Sequence, residues 1–575
     1  MANEIETAAS ETVAPTRSAV EIIKENSKSL RGSLSLELAS ADDHFSDDSK
    51  QLLKFHGSYQ QEDRDARKNR RSEGLGKHYM FMVRGRIPGG VMSAQQYLEL
   101  DKLAESHANG TIRLTSRQSI QFHGILKNNL KGVIAGINEC MLSTLSACGD
   151  VNRNVMACPA PFKKDKVHSA MQEDAYALAM HLAPKSTAYH EIWLNGKSQS
   201  TAPVDDFEPI YGKLYLPRKF KIGISAPNDN CIDIFSQDLG FLADIKNGEV
   251  IGYDVLVGGG MGMTHGKATT FPHLSISIFY VPRDEVLSAA EAVITLYRDH
   301  GNRADRKRAR IKYLVADWGV EKFREVLKGY LPKPLILPKD IKITGYDTHL
   351  GWQAQGDGKY FYGVSVESGR IKDEGSFKLR TALREIISKF NTEVRLTAIQ
   401  DILLCDMPES AKLEIEGTLA KYGVAKPSEL SQVQKYSLAC PAIPTCGLAI
   451  SESERALPSL LREMASCLSE LGLADEIINV RMTGCPNGCV RPYQSEIGFV
   501  GRSGEKYMMF VGGHVNGNRL NFMLKDLVLK SDIVPMLRCL FVDFKAKREG
   551  KETFGDYCNR TGKDYLLGLL PAKAS

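Results

Sequence analysis

Between Thr111 and His123 the chain alternates with a period of two. Thr111, Arg113, Thr115, Arg117, Ser119, Gln121 and His123 fall on one face, and Ile112, Leu114, Ile120 and Phe122 fall mainly on the other. Successive side chains of a strand point to opposite faces, so this pattern predicts a strand with one core-facing side and a row of donors opposite. The plain reading of such a row is a solvated face. Farther on, the spacing of apolar residues predicts an amphipathic helix from about Ser451 to Leu471 and a short helix around Val20–Ser27. The dense run Asn302, Arg303, Arg306, Lys307, Arg308, Arg310 and Lys312 also looks helical. The first 50 residues are polar and rich in Ser, Glu and Ala, and read as a flexible N-terminal arm.

The pattern occurs twice. Arg113-Leu114-Thr115 with Gln118 returns as Arg395-Leu396-Thr397 with Gln400, and Ala157-Cys158-Pro159-Ala160 returns as Ala439-Cys440-Pro441-Ala442. The step from 113 to 395 equals the step from 157 to 439, which marks an internal duplication. Each half then holds a smaller unit followed by a larger one, and two related halves are expected to pack about a pseudo-two-fold axis with a shared site. In the second copy the donor face reads Arg395, Thr397, Ile399, Asp401, Leu403 and Cys405, so the anion-binding chemistry belongs to the first half.

Other cations of the first half come in pairs two residues apart, Arg84 with Arg86 and Lys219 with Lys221, a spacing that puts both members on one strand face. Arg153 lies in the polar turn Asp150-Val151-Asn152-Arg153-Asn154. Singly, each reads as surface solvation. Together they suit a ligand with many negative charges, because Arg and Lys bring only donors and positive charge.

The second half carries Cys440-x5-Cys446 and Cys485-x3-Cys489. Four thiolates in two loops match the needs of a [4Fe–4S] cluster. Structural zinc is the competing reading, although x5 fits poorly with its usual pair spacing, and plain structural cysteines are the third. The stretch Val257-Gly258-Gly259-Gly260-Met261-Gly262-Met263 fails the dinucleotide fingerprint G-x-G-x-x-G at its last position. With no nicotinamide or flavin motif in view, electrons must come from a partner.

Composition removes several classes. The chain has 575 residues, a net charge of +5, 43% hydrophobic and 25% charged residues. That length predicts roughly four domain-sized units. The near-balanced charge argues against nucleic acid, no apolar run spans a bilayer, and the acidic N-terminus lacks a leader, so the chain reads as cytoplasmic. Eight of its 12 cysteines (Cys140, Cys148, Cys158, Cys231, Cys405, Cys467, Cys539 and Cys558) are scattered and read as small buried hydrophobes rather than disulfide partners.

The segments RLTSRQSIQFHG, GDVNRNV, LPRKFK, GNRADRK, CPAIPTCGLA and TGCPNGC, in this order, make the chain resemble the hemoprotein (beta) subunits of assimilatory sulfite reductases, within the wider sulfite/nitrite reductase family. The resemblance implies an internally duplicated α/β (α+β) fold. It divides into ferredoxin-like half-domains at 51–145 and 341–425 and larger siroheme- and cluster-binding domains at 146–340 and 426–575. It also implies siroheme and a [4Fe–4S] cluster held by Cys440, Cys446, Cys485 and Cys489, with Cys489 doubling as the axial ligand of the siroheme iron. Arg113, Arg117, Gln121 and His123 would face the siroheme carboxylates, and Arg84, Arg153, Lys219 and Lys221 the sulfite. The implied reaction is the six-electron reduction of sulfite to sulfide for cysteine biosynthesis. A siroheme nitrite reductase and a non-catalytic iron–sulfur carrier are the alternatives. The run from Ala66 to Gly74 resembles the NADPH-linked type, which docks a flavoprotein reductase subunit, and this donor is favoured over ferredoxin.

Overall fold

The computed structural model of the chain describes residues 17–186, 193–194, 197–198 and 208–571. The alternating segment folds as a hairpin rather than a single strand. Ile112–Thr115 runs antiparallel to Ser119–Ile125, with Arg113 opposite Gln121 and Leu114 opposite Ile120. The chain turns between them through Gln118, at φ 50°. Ile112, Leu114, Ile120 and Phe122 enter the core as the pattern requires. Arg113, Gln121 and His123 share the opposite face, whereas Arg117 sits in the turn.

This hairpin belongs to a five-stranded sheet in the order Ser58–Glu62, Tyr79–Arg84, Ser119–Ile125, Ile112–Thr115 and Arg370–Ile371. The second half builds the matching sheet from Gly351–Ala354, Tyr360–Val364, Ile402–Met407, Val394–Leu396 and Val91–Met92. Each half therefore lends its edge strand to the other. Two glycines permit the crossing. A Cβ at Gly90 (φ 79°) would lie 2.6 Å from the Leu396 carbonyl oxygen, and one at Gly369 (φ 71°) would lie 2.8 Å from that of Leu114. Both sheets feed one hydrophobic core, in which Phe81, Ile112 and Leu114 join Leu383, Leu396 and Ile402.

The larger units are also a matched pair. In the first, Met156–Ala157, Ile222–Ser225 and Leu239–Lys246 run parallel, followed by antiparallel Glu249–Val257 and Ile276–Pro282. In the second, Ser437–Ala439, Val480–Thr483 and Ile497–Ser503 are followed by Lys506–Val511 and Phe522–Leu529 in the same senses. The repeated sequence motifs are the joints between small and large units. Gln118 donates to the Ala157 carbonyl at 2.7 Å and accepts from its amide at 3.1 Å; Gln400 makes the same pair of bonds with Ala439 at 3.0 and 3.4 Å. The motif RLT-x2-Q holds ACPA in both halves.

One buried cluster ties all four units together. Asp233, from the first large unit, is fully buried and pairs with Arg481 at 2.9 Å and with Arg491, both from the second. Arg491 donates onward to the carbonyls of Ser116 and Ala398, each at 3.2 Å. Those two positions are equivalent turns of the two small sheets, so Arg491 sits where the pseudo-two-fold axis passes.

Three expectations change. From residue 17 onward the N-terminal segment is not a free arm (residues 1–16 lie outside the described residues). Its helix Ala19–Glu25 buries Lys24, whose Nζ donates to the Leu216 carbonyl at 2.8 Å and pairs with Glu21 at 2.5 Å. The helix after the first cysteine pair covers Leu457–Glu470 only, because Ser453 is spent on side-chain bonds to Met482 O and Cys440 N. The basic run 302–312 is mostly irregular, with a short 3-10 turn at Arg306–Arg308 and a helix starting at Ile311. Its members are committed one by one, Arg303 to Glu21, Arg306 to Asp150, Arg308 to Asp317 and Arg310 to Asp238. Separate acidic partners, not a common helix face, dictate that geometry.

Burial raises the Asp233 carboxyl, but Arg481 and Arg491 outweigh it and hold it below the usual range. A carboxyl depressed on folding stabilises fully above its unfolded pKa, and that stabilisation is lost as the pH falls through the folded one. Asp233→Ala leaves two buried guanidinium groups without their counter-charge, which costs about 3–5 kcal/mol. The expected result is a clearly lower thermal midpoint at pH 7, with the gap to wild type closing in acid; an unchanged midpoint would remove the hub role.

Candidate active site: a thiol cage beside a cationic chamber

The two cysteine loops approach each other because strands Ser437–Ala439 and Val480–Thr483 are parallel neighbours that end at the same edge. Cys440 and Cys485 are buried, Cys446 is half-buried and Cys489 is exposed. Burial and the neighbouring thiols, Cys489 foremost, push the Cys440 and Cys446 thiols up and Cys485 to about 12. Four thiols so placed ionise together only around a strongly cationic core. Gly484 N–H points at Cys440 Sγ at 3.3 Å, and backbone amides of Leu448, Ala449 and Asn487 serve the Cys446 and Cys485 sulfurs. Amides aimed at sulfur are a means by which a protein tunes an iron–sulfur centre. No three of these sulfurs lie within 4.8 Å of one another; among the described residues the group that does is elsewhere.

The glycine-rich stretch is the floor of this cage. Met263 N–H donates to Pro486 O at 3.0 Å, and a Cβ on Gly262 would lie 3.2 Å from Asn487 O. Lys312 staples the loop by donating to the carbonyls of Gly260 and Gly262 at 2.9 and 2.6 Å. The turn thus packs against the CPNGC loop by backbone proximity, which explains its glycines without a nucleotide.

Cys489 opens toward a second space. Lys219 and Lys221 flank buried Phe220 just before strand Ile222–Ser225 and are half-buried, and among the described residues their ammonium groups have no hydrogen-bond or ion-pair partner. Burial first, then Arg153, Arg310 and Arg218, lowers Lys219 to about 7, while the nearby Cys489 thiol opposes the shift. Burial, Lys219, Arg117 and Arg310 hold Lys221 well below its ordinary value. Burial and then Arg153 bring Arg117 down to about 9. Asp238, already paired with Arg310 at 2.7 Å, is the acid facing this group. Cations gathered this closely, two of them lysines without side-chain partners among the described residues, suit an anionic occupant.

A row of side chains links chamber and cage. Across the first small sheet the register sets Arg84 beside Gln121, Gln121 beside Arg113, and Arg113 beside Arg370. With the Gln121 amide turned toward it, Arg84 donates to its carbonyl oxygen at 3.1 Å from Nε. His123, on the same face, is 1% exposed, and neither ring nitrogen has a partner. Burial and the arginines Arg370, Arg113 and Arg84 keep it neutral. The one N–H of the neutral His123 ring and the partnerless Nε–H groups of Arg113 and Arg117 are donors a carboxylate-rich group would satisfy.

The structure refines some sequence-predicted residues. Arg113 spends its terminal nitrogens on Glu454 and, at 2.5 Å, on Ala439 O, so it also staples the sheet to the cage. Arg117 donates to Gln237 at 2.7 Å and to Ile222 O at 3.1 Å. Arg86 does not share the face of Arg84: the strand ends at Arg84, and Arg86 is buried against the Ala179 carbonyl. Tyr59, Arg218 and Arg310 belong to the chamber but were not singled out as site residues, and Arg491 two places after Cys489 was missed as its anchor. The flanking basic residues of LPRKFK were the available signal for Arg218; nothing in the sequence marks Tyr59.

These features define a duplicated α/β protein with four cysteines on two adjoining loops and a cluster of cations beside them. The sequence matches the family model described as "Nitrite/Sulfite reductase ferredoxin-like half domain" over residues 74–140 and 353–422. It matches that described as "Nitrite and sulphite reductase 4Fe-4S domain" over residues 174–335. It is 45% identical to the "Sulfite reductase [ferredoxin]" of Synechococcus elongatus, covering 97% of this chain and 92% of that one. It is 44% identical to the "Sulfite reductase [NADPH] hemoprotein beta-component" of Staphylococcus saprophyticus, covering 94% and 95%. The fold resembles that of Mycobacterium tuberculosis NirA, with a TM-score of 0.78 at 24% identity over 96% of this chain and 97% of that one. The chain belongs to the sulfite/nitrite reductase family. Among its described residues, no helix is long and apolar enough to cross a membrane.

Gly488 has φ 60°, and a Cβ there would lie 3.0 Å from both Met261 O and the Tyr493 ring. Gly488→Ala is therefore expected to displace the loop carrying Cys485 and Cys489 and to lower bound iron per chain. Full iron content with an unaltered visible spectrum would show that the loop absorbs the methyl.

Proposed function

We propose that the chain reduces sulfite to sulfide, at a siroheme whose iron shares the Cys489 thiolate with a [4Fe–4S] cluster held by Cys440, Cys446, Cys485 and Cys489. The observation that carries this reading is that the Cys489 thiol lies close enough to Lys219, whose ammonium is unpartnered among the described residues, to act on its charge. This supports a cluster and an anion site that share one wall. When bound, the two groups supply electrons and an iron site for the substrate sulfur. A non-catalytic iron–sulfur carrier has no use for such a chamber.

Sulfite is a small hydrated dianion near neutral pH, and stripping its water is unfavourable unless charges of opposite sign take the water's place. Arg84, Arg153, Lys219 and Lys221 are assigned that task. Arg153 is itself held by donating to Gly149 O at 3.0 and 3.2 Å, so its guanidinium is fixed rather than swinging. Arg stays charged and serves as a fixed electrostatic wall. Lys219, with its proton affinity brought near neutrality by burial and Arg153, holds a proton at Nζ that it releases far more readily than an ordinary lysine. Lys219 and Lys221 are therefore assigned proton delivery to oxygens leaving as water, directly or through water. Arg113, Arg117, Gln121 and His123 are assigned the siroheme carboxylates, the last through its single ring N–H.

The proposed electron donor is a flavoprotein reductase subunit, with ferredoxin as the alternative. Arg64 joins the donor-side surface to the cage by bonding Cys446 O at 3.0 Å and Ala449 O at 2.6 Å. It is followed by the basic, exposed helix Arg67–Ser72, which suits an acidic donor face.

Lys219→Met and Arg153→Ala are expected to retain the wild-type visible spectrum while losing about 10²-fold or more in sulfite turnover, the scale of a lost acid or transition-state donor. Steady-state sulfide release at the wild-type rate in either variant removes these roles; parallel assays with nitrite separate the two branches of the family. For the donor, purified protein is mixed in turn with reduced flavoprotein and reduced ferredoxin. Sulfide is expected with the flavoprotein, and formation with ferredoxin alone reverses the assignment.

A further inference from the structure

We infer that Cys158, Cys231, Asp229 and His349 form a second metal site, a buried mononuclear zinc centre in the first half that is distinct from the cysteine cage. Their ligating atoms all lie within 4.8 Å of one another and all four residues are buried. Cys158 Sγ is 3.0 Å from Asp229 Oδ2 and 3.4 Å from His349 Nε2, and Nε2 is 3.0 Å from the same Oδ2. A tetrahedral zinc ion with bonds of about 2.0–2.3 Å has ligand atoms roughly 3.3–3.8 Å apart, so small outward shifts seat the ion. Two sulfurs, one imidazole nitrogen and one carboxylate oxygen are a zinc set; calcium and magnesium prefer all-oxygen shells.

The surroundings supply what such a site needs beyond its ligands. His349 Nδ1 has no hydrogen-bond partner and lies 3.8 Å from an Asp347 carboxylate oxygen. A ligating histidine usually gives its second ring N–H to such a group. Asp229 Oδ1 is fixed by the amides of Cys231 and Asp347, at 3.0 and 3.1 Å, which leaves Oδ2 to face the sulfur and the imidazole. His349 itself is held at φ 59°, a conformation non-glycine residues rarely adopt.

The site also accounts for a repeated motif. Cys158 occupies the place in Ala157-Cys158-Pro159-Ala160 that Cys440 occupies in the second copy, so the two halves put the same cysteine to different metals. Its four ligands come from three segments: the residue after strand Met156–Ala157, the turn after strand Ile222–Ser225, and the chain just before strand Gly351–Ala354. Zinc there would clamp the passage from first half to second, because an ion bound only by the folded chain stabilises it.

The test is metal analysis of the full-length protein made with both iron and zinc in the medium. About one zinc per chain is expected beside the iron, with an X-ray absorption edge showing two sulfurs at about 2.3 Å and two N/O ligands at about 2.0–2.2 Å. Cys231→Ser and His349→Gln should lose zinc and keep their iron. Trace zinc in the wild type, an edge with four sulfurs (zinc in the cage), zinc retained in both variants, or an intact mass showing a Cys158–Cys231 disulfide each overturns the site. None of these readouts involves sulfite, so the proposed activity stands or falls separately.

Discussion

The arrangement depends on one carboxylate placed among positive charges. Asp233 is wholly inside the protein and answers two guanidinium groups, and Arg491 carries that link on to both small sheets. Arg491 lies two residues beyond Cys489, so the anchor of the fold is also the anchor of the sulfur that faces the chamber. An unpaired buried charge is strongly unfavourable, and a paired one fixes geometry because its partners have no alternative position. The junction of the four units and the position of the cage are thus set by the same pairing.

The chamber represents the opposite solution. Lys221 is held down by Lys219, Arg117 and Arg310, Lys219 by Arg153, Arg310 and Arg218, and Asp238 is already committed to Arg310. Such a gathering of like charge is unfavourable in the bare chain, and an anionic occupant relieves it. The fold can sustain it because the same elements are secured elsewhere: Arg306 and Lys24 by Asp150, Lys312 by carbonyls of the glycine-rich loop. The site arginines are anchored as well, and Lys219 and Lys221 alone of its cations have side chains without partners among the described residues.

Duplication makes this division of labour workable. Exchanged edge strands and a common core bind the small units so closely that neither half is an independent body. Gln118 and Gln400 repeat one latch on ACPA, while the surroundings have diverged: Arg84, Arg117, Lys219 and Lys221 lie in the first half, and Cys446, Cys485 and Cys489 in the second. A shared frame with unlike contents places an anion site against a metal–sulfur site.

Much of this was legible in the sequence. Alternation gave the buried faces of Ile112, Leu114, Ile120 and Phe122, spacing gave the two cysteine pairs, and the repeat of RLT-x2-Q with ACPA gave the duplication, because all three are local or periodic signals. Local pattern could not say that the alternating segment turns at Gln118, that the basic run 302–312 scatters to separate acids, or that residues 17–50 pack down. Those outcomes hinge on partners far along the chain, such as Lys24 with Leu216 and Arg310 with Asp238. Nor does spacing show that Cys489 comes near enough to act on Lys219, or that Cys158, read as a buried hydrophobe, meets His349. The chain determined which chemistries were present; only tertiary packing decided which of them touch, since electrostatics and hydrogen bonding act through space and not along the sequence.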